Sequence, residues 1–386
     1  MSSNNTACQI CGEESLQEVV GFGALPRITS DCRPYPAGGN LYVCLACSGV
    51  QKRADPIWVR EITDIYASYD SYYQSGGEEQ IVFDQATGTP RRRSDVILAG
   101  LARSASLPDS GRALDVGCGN GATLTAMSAA LTSWSFSGYE LGDGALPRLE
   151  RIPRFERLYT GSFDTIPKHF DLVTMIHALE HFPLPMSALE ELMPIVGTGK
   201  LFIEVPNVDE NPFDILIADH MMHFTPITLK RLLQRAGFIS TEIATDWVAK
   251  EISLLATGGV AREKYNEVAP IDANFTYRRL ERYVDWLERF RDVALATAKD
   301  NQLFGLFGTS IAATWLAPQL LDKIAFFVDE DSNRIGREHL GRPVIHPTAV
   351  PKDAKVYLAL APRVASMIAD RLGNLHCALI LPPTAD

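Results

Sequence analysis

The chain has 386 residues, 46% of them apolar and 22% charged, which is the make-up of a globular protein with more than one core. A formal net charge of −11 excludes a general attraction to a phosphate backbone, so no nucleic-acid partner is expected. No apolar run reaches the ~20 residues that cross a bilayer, and the polar start Met1-Ser2-Ser3-Asn4-Asn5 has no basic segment followed by an apolar one. The expectation is a cytoplasmic protein with no membrane partner.

Residues 1–62 read as a module of their own. They carry five of the seven cysteines and no helical period. Cys8-Gln9-Ile10-Cys11 and Cys44-Leu45-Ala46-Cys47 are two C-x2-C knuckles. Each knuckle lets two thiolates point at one ion, and two knuckles complete a tetrahedron. The predicted site is Zn2+ held by Cys8, Cys11, Cys44 and Cys47. Four sulfurs leave no open position, so the role is structural. Gly12 suits the tight turn after the first knuckle; Cys32, isolated between the pairs, is the alternative ligand, and Cys118 and Cys377 are expected as ordinary packed residues.

A helical pattern runs over 84–105, with Val96, Ile97, Leu98 and Leu101 on one side. Strands and helices then alternate. Strands are predicted over 112–116, 135–139, 170–176 and 199–205, with helices over 122–131 and 228–236, the last stopped by Gly237. This alternation predicts an α/β fold with a parallel sheet covered on both faces. A long amphipathic helix follows over 274–300, with Leu280, Tyr283, Leu287, Phe290 and Ala294 on one stripe. A second, shorter α/β pattern has strands over 303–307, 324–328 and 356–361. The division expected is 1–62, 63–262 and 263–386.

The stretch Leu114-Asp115-Val116-Gly117-Cys118-Gly119-Asn120-Gly121 joins a strand to a helix. Gly117 and Gly119 allow a tight turn and close backbone approach to a ligand. The spacing lacks G-x-G-x-x-G, and Asp115 would repel a pyrophosphate while suiting a cationic group. Glu140, ending the next strand, is placed to accept hydrogen bonds from ribose hydroxyls. These features favour an adenosine-containing ligand without a pyrophosphate.

The loop resembles motif I of class I methyltransferases, which implies S-adenosylmethionine as cofactor. The resemblance puts Asp115, Gly117, Cys118, Gly119 and Glu140 on it, with Phe163 and Asp164 of Ser162-Phe163-Asp164 at the adenine. The stretch His177-Ala178-Leu179-Glu180-His181 would border the methyl-transfer site. More broadly, the chain resembles the sugar C-methyltransferases of deoxysugar biosynthesis. The knuckles carry this, with Tyr66…Tyr69-Asp70-Ser71-Tyr72-Tyr73, Ile203-Glu204-Val205-Pro206-Asn207, Asp219-His220…His223-Phe224-Thr225-Pro226, Gly308-Thr309-Ser310, Asp329 and Gly341-Arg342-Pro343.

That resemblance implies a zinc domain, a doubly wound class I methyltransferase sheet and a Rossmann-like C-terminal α/β domain. It also implies C-methylation of a nucleotide-linked keto-sugar, with His220 as base beside Asp219, and His181 and Tyr72 at the same centre. The family has Glu where this chain has Asp219. O- or N-methylation of another small metabolite stays open, and a nicotinamide-dependent oxidoreductase is the reading from another class. A small-molecule substrate and a monomer or homodimer are expected.

Overall fold

Residues 7–70, 77–79, 81–83, 90–259, 272–299, 303–320 and 322–384 are described in the computed structural model. The N-terminal part is built from short strands: β1 (Leu16–Glu18), β2 (Arg27–Ile28), β3 (Pro34–Tyr35), β4 (Tyr42–Cys44) and β5 (Val50–Gln51). β2 and β3 form a hairpin, while β1, β4 and β5 make an antiparallel sheet. Helix α1 (Pro56–Tyr66) follows. Asp55 caps it by accepting from the amides of Ile57 and Trp58, and Pro56 fits the first turn. It was not foreseen in the sequence.

The hairpin β6 (Ile81–Phe83) and β7 (Pro90–Arg92) precedes α2 (Arg93–Ser104). The helix starts at Arg93 and not in the expected 84–105 register. Pro90 has no amide proton to give and opens an extended segment instead. The central sheet then forms from β8 (Gly111–Val116), α3 (Ala122–Ala130), β9 (Trp134–Tyr139), the short α4 (Leu146–Leu149), β10 (Phe155–Tyr159), β11 (Leu172–Ile176), α5 (Pro185–Val196) and β12 (Lys200–Pro206). Next come β13 (Met222–His223), α6 (Pro226–Arg235), β14 (Phe238–Ala244) and β15 (Glu251–Gly258). A Thr225–Thr228 capping box with Pro226 starts α6.

The sheet order is β10-β9-β8-β11-β12-β15-β14. Five strands are parallel, but β15 runs antiparallel to both β12 and β14. The sheet is therefore mixed, which corrects the all-parallel expectation. Neither β14 nor β15 was read from the sequence, whose pattern predicts no strand between Gly237 and the long helix over 274–300. The order reverses direction at β8, so the cleft beyond the carboxyl ends of β8 and β11 is the expected ligand position.

Helix α7 (Ala273–Lys299) leads to β16 (Phe304–Phe307), α8 (Ile311–Leu320), β17 (Ile324–Val328), β18 (Glu338–His339), β19 (Arg342–Ile345), β20 (Lys355–Leu358), α9 (Pro362–Leu372) and β21 (Ala378–Ile380). These strands form a six-stranded sheet. The buried stripe of α7, with Leu280, Trp286, Leu287 and Phe290, shares one core with Phe22, Leu25 and Ile28 and with Trp315 and Phe327. The Trp315 indole donates to the Pro26 carbonyl at 2.7 Å. One apolar cluster thus joins all three parts of the chain. Among the described residues no helix is long and apolar enough to cross a membrane.

Candidate active site

The turn from β8 into α3 carries Gly117, Gly119 and Gly121, all with positive φ. At Gly117 a Cβ would lie 2.8 Å from the Cβ of Ala178, so any larger residue strains the turn twice. Glu140 directly follows β9 and is held at both oxygens. The Gly119 amide donates to Oε2 and the Leu141 amide to Oε1, each at 2.9 Å. Asp115 is buried at the end of β8 and accepts from the Thr174 hydroxyl at 2.6 Å. Burial pushes its carboxyl up to about 7, with the Thr174 hydrogen bond opposing that rise.

The Cys118 amide reaches the Tyr139 carbonyl at 3.2 Å, and its side chain packs against Gly138. Phe163 is buried and lies 4.6 Å from the Tyr139 ring, while Asp164 is exposed. The predicted cofactor residues thus stand along the carboxyl ends of β8 and β9 and the turn after β10.

Two histidines face the same cavity, and each has its Nδ1 on a carboxylate. His220 Nδ1 lies 2.8 Å from Asp214 Oδ1, and His223 Nδ1 lies 2.7 Å from the other oxygen of Asp214. His181 Nδ1 lies 3.3 Å from Asp219 Oδ2, 3.2 Å from the Asp219 carbonyl and 3.0 Å from the Tyr66 hydroxyl. The two rings, His181 and His220, meet edge to face with centroids 4.6 Å apart.

This corrects the expected pairing, because the carboxylate on His220 is Asp214 and not its neighbour Asp219. Asp219 turns to His181 and to Ser30, whose amide and hydroxyl donate to it at 2.9 and 2.5 Å. Asp214 sits in a single 3-10 turn, Asp214–Leu216, which curls the chain so that residues 214, 220 and 223 converge. No motif marks Asp214. A carboxylate six positions ahead of a histidine is a weak signal without the turn.

The two dyads are set differently. Burial drives His220 down to about 4, with Asp214 pulling the other way. For His181 burial also pushes down, but the hydrogen bond and charge of Asp219 outweigh it and lift the group above its usual value. Asp214 and Asp219 are both held well below the carboxylate range, because their histidine contacts outweigh burial. The two imidazoles are thus shifted in opposite directions, His220 down and His181 up, the arrangement that separates a base from an acid.

His177 also lines the cavity, with a left-handed φ of 50°. Its Nε2 meets the Arg93 guanidinium, which in turn binds Glu204 at 2.9 Å and Glu251 at 3.4 Å. His177 therefore sits with a buried ionic cluster of Arg93, Glu204 and Glu251 at β11, β12 and β15. Sequence reading missed Arg93 and Glu251, since neither lies in a motif. Tyr72 lies outside the described residues; Tyr66 is the tyrosine seen on His181, and Tyr69 lines the cavity.

The cavity measures about 1150 Å³. Its lining includes Asp115, Gly117 and Gly119 of the glycine loop region and the three histidines His177, His181 and His220. Ser30, Asp31 and Cys32 also line it, as do Gly308, Ser310 and Asp329, which follow strands β16 and β17.

Apart from this cleft, the sulfurs of Cys8, Cys11, Cys44 and Cys47 lie within 4.8 Å of one another. The Cys8–Cys47 and Cys11–Cys44 separations are 3.5 and 3.4 Å. Tetrahedral zinc with Zn–S near ~2.3 Å requires sulfur spacings of about 3.8 Å, so this donor set fits a tetrathiolate ion. Arg231 donates to the Cys47 carbonyl at 3.1 Å and Arg235 to the Ile10 carbonyl, tying both knuckles to α6.

Residues 90–242 match the family described as "Methyltransferase domain". Among curated proteins, the chain is similar to a ubiquinone biosynthesis O-methyltransferase of Nitrosospira multiformis, 27% identical over 129 residues, 29% of this chain and 51% of that one. A protein of the same description from Aeromonas salmonicida is 26% identical over 154 residues, 34% of this chain and 65% of that one. The chain thus spans between half and two thirds of the length of these relatives. Among solved structures, human N-acetylserotonin methyltransferase in complex with SAM aligns with TM-score 0.37 and 18% identity, covering 44% of this chain and 52% of the other. Over residues 90–242 the chain thus carries a methyltransferase domain.

Proposed function

We propose that the protein methylates a carbon of a small keto compound, a nucleotide-linked keto-sugar, with S-adenosylmethionine as donor. The observation that carries this reading is the pair of carboxylate-oriented histidines, His220 on Asp214 and His181 on Asp219, facing one cavity beside the glycine loop. A carbon acid needs a base at one atom and a partner for the oxygen that gains charge. A ligand hydroxyl or amine needs only the first.

Glu140 would hold the ribose hydroxyls, Phe163 and Asp164 the adenine, and Asp115 the cationic amino-acid end. Bound there, S-adenosylmethionine supplies an electrophilic methyl group. His220 Nε2 removes a proton α to the carbonyl while Asp214 holds Nδ1–H and fixes the tautomer. Protonated His181 donates to the enolate oxygen, and Asp219 stabilises its charge. His177, Arg93 and Glu251 close the cavity wall beside this centre.

The remaining assignments belong to the same reading. Zn2+ on the four cysteines is structural, the cytosol keeping those thiols reduced. The chain divides at 1–62, 63–262 and 263–386, and acts as a monomer or homodimer. The named relatives favour O-methylation as the second reading.

His220→Gln is expected to lower turnover roughly 10²–10⁴-fold while leaving affinity for S-adenosylhomocysteine within about twofold of the parent. Near-normal turnover by this variant with the true substrate would remove the base from the scheme. The pH profile of kcat/KM gives a second check. His220 works when neutral, so its contribution is lost as pH falls through about 4. His181 works when protonated, so its contribution is lost as pH rises past a value above the usual 6.5. The expected profile is a plateau between those limits. A single acid limb near pH 6.5 contradicts it.

At the other end of the cleft, Gly117→Ala places a Cβ against Ala178 on a backbone with φ 77°. It should weaken S-adenosylhomocysteine binding at least ~10-fold and destabilise by about 1–3 kcal/mol. Calorimetric titration and a thermal melt measure the two effects.

A further inference from the structure

Residues 28–58 touch, at several points, the loop 214–223, which carries the His220–Asp214 dyad and the carboxylate of the other. The Ala218 amide donates to the Ile28 carbonyl at 2.8 Å, and Ser30 holds Asp219 through its amide and hydroxyl. β5 pairs with β13, setting Gln51 opposite Met222 and Val50 opposite His223. The Lys52 amide donates to the Met221 carbonyl at 2.9 Å, and the Trp58 indole to the Ala218 carbonyl at 3.0 Å. The Lys52 ammonium is the most unusual of these groups. It is 1% exposed and spends its donors on the carbonyls of Ile217 and, at 3.3 Å, Ala218.

A buried ammonium is costly unless its donors and charge are matched. Here burial lowers the group to about 7, while the two carbonyls that precede Asp219-His220 take up its donors and the charges of Asp219 and Asp214 oppose the lowering. Lys52 directly follows β5, which Gly49 links to Cys47, and the Cβ position of Gly49 lies 3.3 Å from the sulfurs of Cys8 and Cys47. Lys52, supplied by the N-terminal part, thus interacts electrostatically with Asp219 and Asp214 and bonds the backbone between them.

We propose that residues 28–58 are the template that sets the conformation of residues 214–223, with Lys52 the principal positioning residue and Ser30 the second. The N-terminal module is then part of the catalytic apparatus and not only a fold anchor. Lys52 touches no reacting atom; it holds the backbone that aims His220 and Asp219. A misplacement of the base by about 1 Å costs roughly 10²-fold in rate. The claim about catalysis rests on the reading of His220 as base, whereas the claim about conformation does not.

The test uses the full-length protein as Lys52→Met and, separately, Ser30→Ala. Backbone hydrogen exchange is read over residues 214–223 and over the central strands 111–116 and 134–139. Zinc content, affinity for S-adenosylhomocysteine and turnover are measured on the same samples. The expected result is exchange at least ~10-fold faster at Ala218 and Met221, with the central strands unchanged. One zinc per chain and the parent's S-adenosylhomocysteine affinity are kept, and kcat falls about 10²-fold for Lys52→Met with KM little changed. Ser30→Ala, which removes no buried charge, should give the same pattern at smaller amplitude and keeps the test alive if Lys52→Met does not fold. Unchanged exchange at 214–223 in both variants overturns the proposal, as does acceleration spread evenly over all strands. If the exchange result holds while His220→Gln keeps its turnover, the base assignment falls and the template stands.

Discussion

Asp214→Asn is expected to lower kcat roughly 10⁴-fold, the scale seen when an orienting carboxylate is exchanged for its amide and the histidine adopts the wrong tautomer. Asp214 accepts from two imidazoles at once, His220 at one oxygen and His223 at the other. An asparagine offers one oxygen and one NH2, so one of the two rings must face a donor with a donor or flip its proton to Nε2. If that ring is His220, Nε2 is blocked as a base. If it is His223, its Nε2, buried with no hydrogen-bond partner among the described residues, must take up a proton in a closed space.

Each lost hydrogen bond to a charged group also costs about 1.5–3 kcal/mol of stability. Turnover should therefore be compared at a temperature where circular dichroism shows the variant folded. S-adenosylhomocysteine affinity should stay near the parent value, because the glycine loop is untouched. A variant that keeps a tenth or more of its kcat would show that Asp214 does not set the tautomer.

The same dyad makes stability depend on pH. His220 is held neutral in the fold, to about pH 4, against 6.5 when unfolded. Between those values the unfolded chain binds more protons, so stability falls as pH is lowered from 6.5 towards 4. Asp214 and Asp219 have depressed values, so their contribution is present above the unfolded carboxylate range and disappears only below it.

The second large effect is expected at the sulfur cluster. Cys44→Ser should abolish stoichiometric zinc and unfold the strands around it. A structural zinc site contributes on the order of 10–16 kcal/mol to the folding of a small module, which equals or exceeds the whole stability of a typical domain. Cys44 is fully buried at the end of β4, and Cys8 and Cys47 are nearly so. Without the ion, four thiols are left packed together with no ligand to justify the spacing. The loss should spread, because Arg231 and Arg235 of α6 bond the knuckle carbonyls and β5 pairs with β13. Zinc content by atomic absorption and a thermal melt measure this. A variant that carries no zinc and melts within about 2 °C of the parent would show that the cluster holds no structural metal.

How much of this was legible in the sequence differs from element to element. The strands β8, β9, β11 and β12 are short apolar runs bounded by turn residues, and their limits were readable to within two residues. The loop Leu114–Gly121 was readable because glycine at a strand-to-helix turn has a narrow set of uses. β14, β15, α5 and α1 were not marked, since their patterns compete with loops and only packing decides them. The direction of β15 depends on closing the sheet against β12, a long-range fact with no local trace.

At the site the failure is more specific. Asp219-His220 invites pairing of neighbours, but adjacent side chains on an irregular loop need not share a partner. The structure divides them between two dyads. Ser30 and Lys52 enter only through tertiary contacts from residues far apart in the chain, and Asp214 only through the turn that curls it back onto His220 and His223. The C-terminal sheet was expected from its strand pattern. That its glycine turn at Gly308 opens on the same cavity as Gly117 was not foreseen.

The most direct test of the central claim is product analysis after methyl transfer from S-adenosylmethionine carrying a 13C-labelled methyl group, across a panel of nucleotide keto-sugars. The account predicts a labelled methyl joined to a ring carbon next to the carbonyl, lost in His220→Gln. A labelled methyl ether or methylamine would contradict it and leave the two histidine dyads without the role given them here.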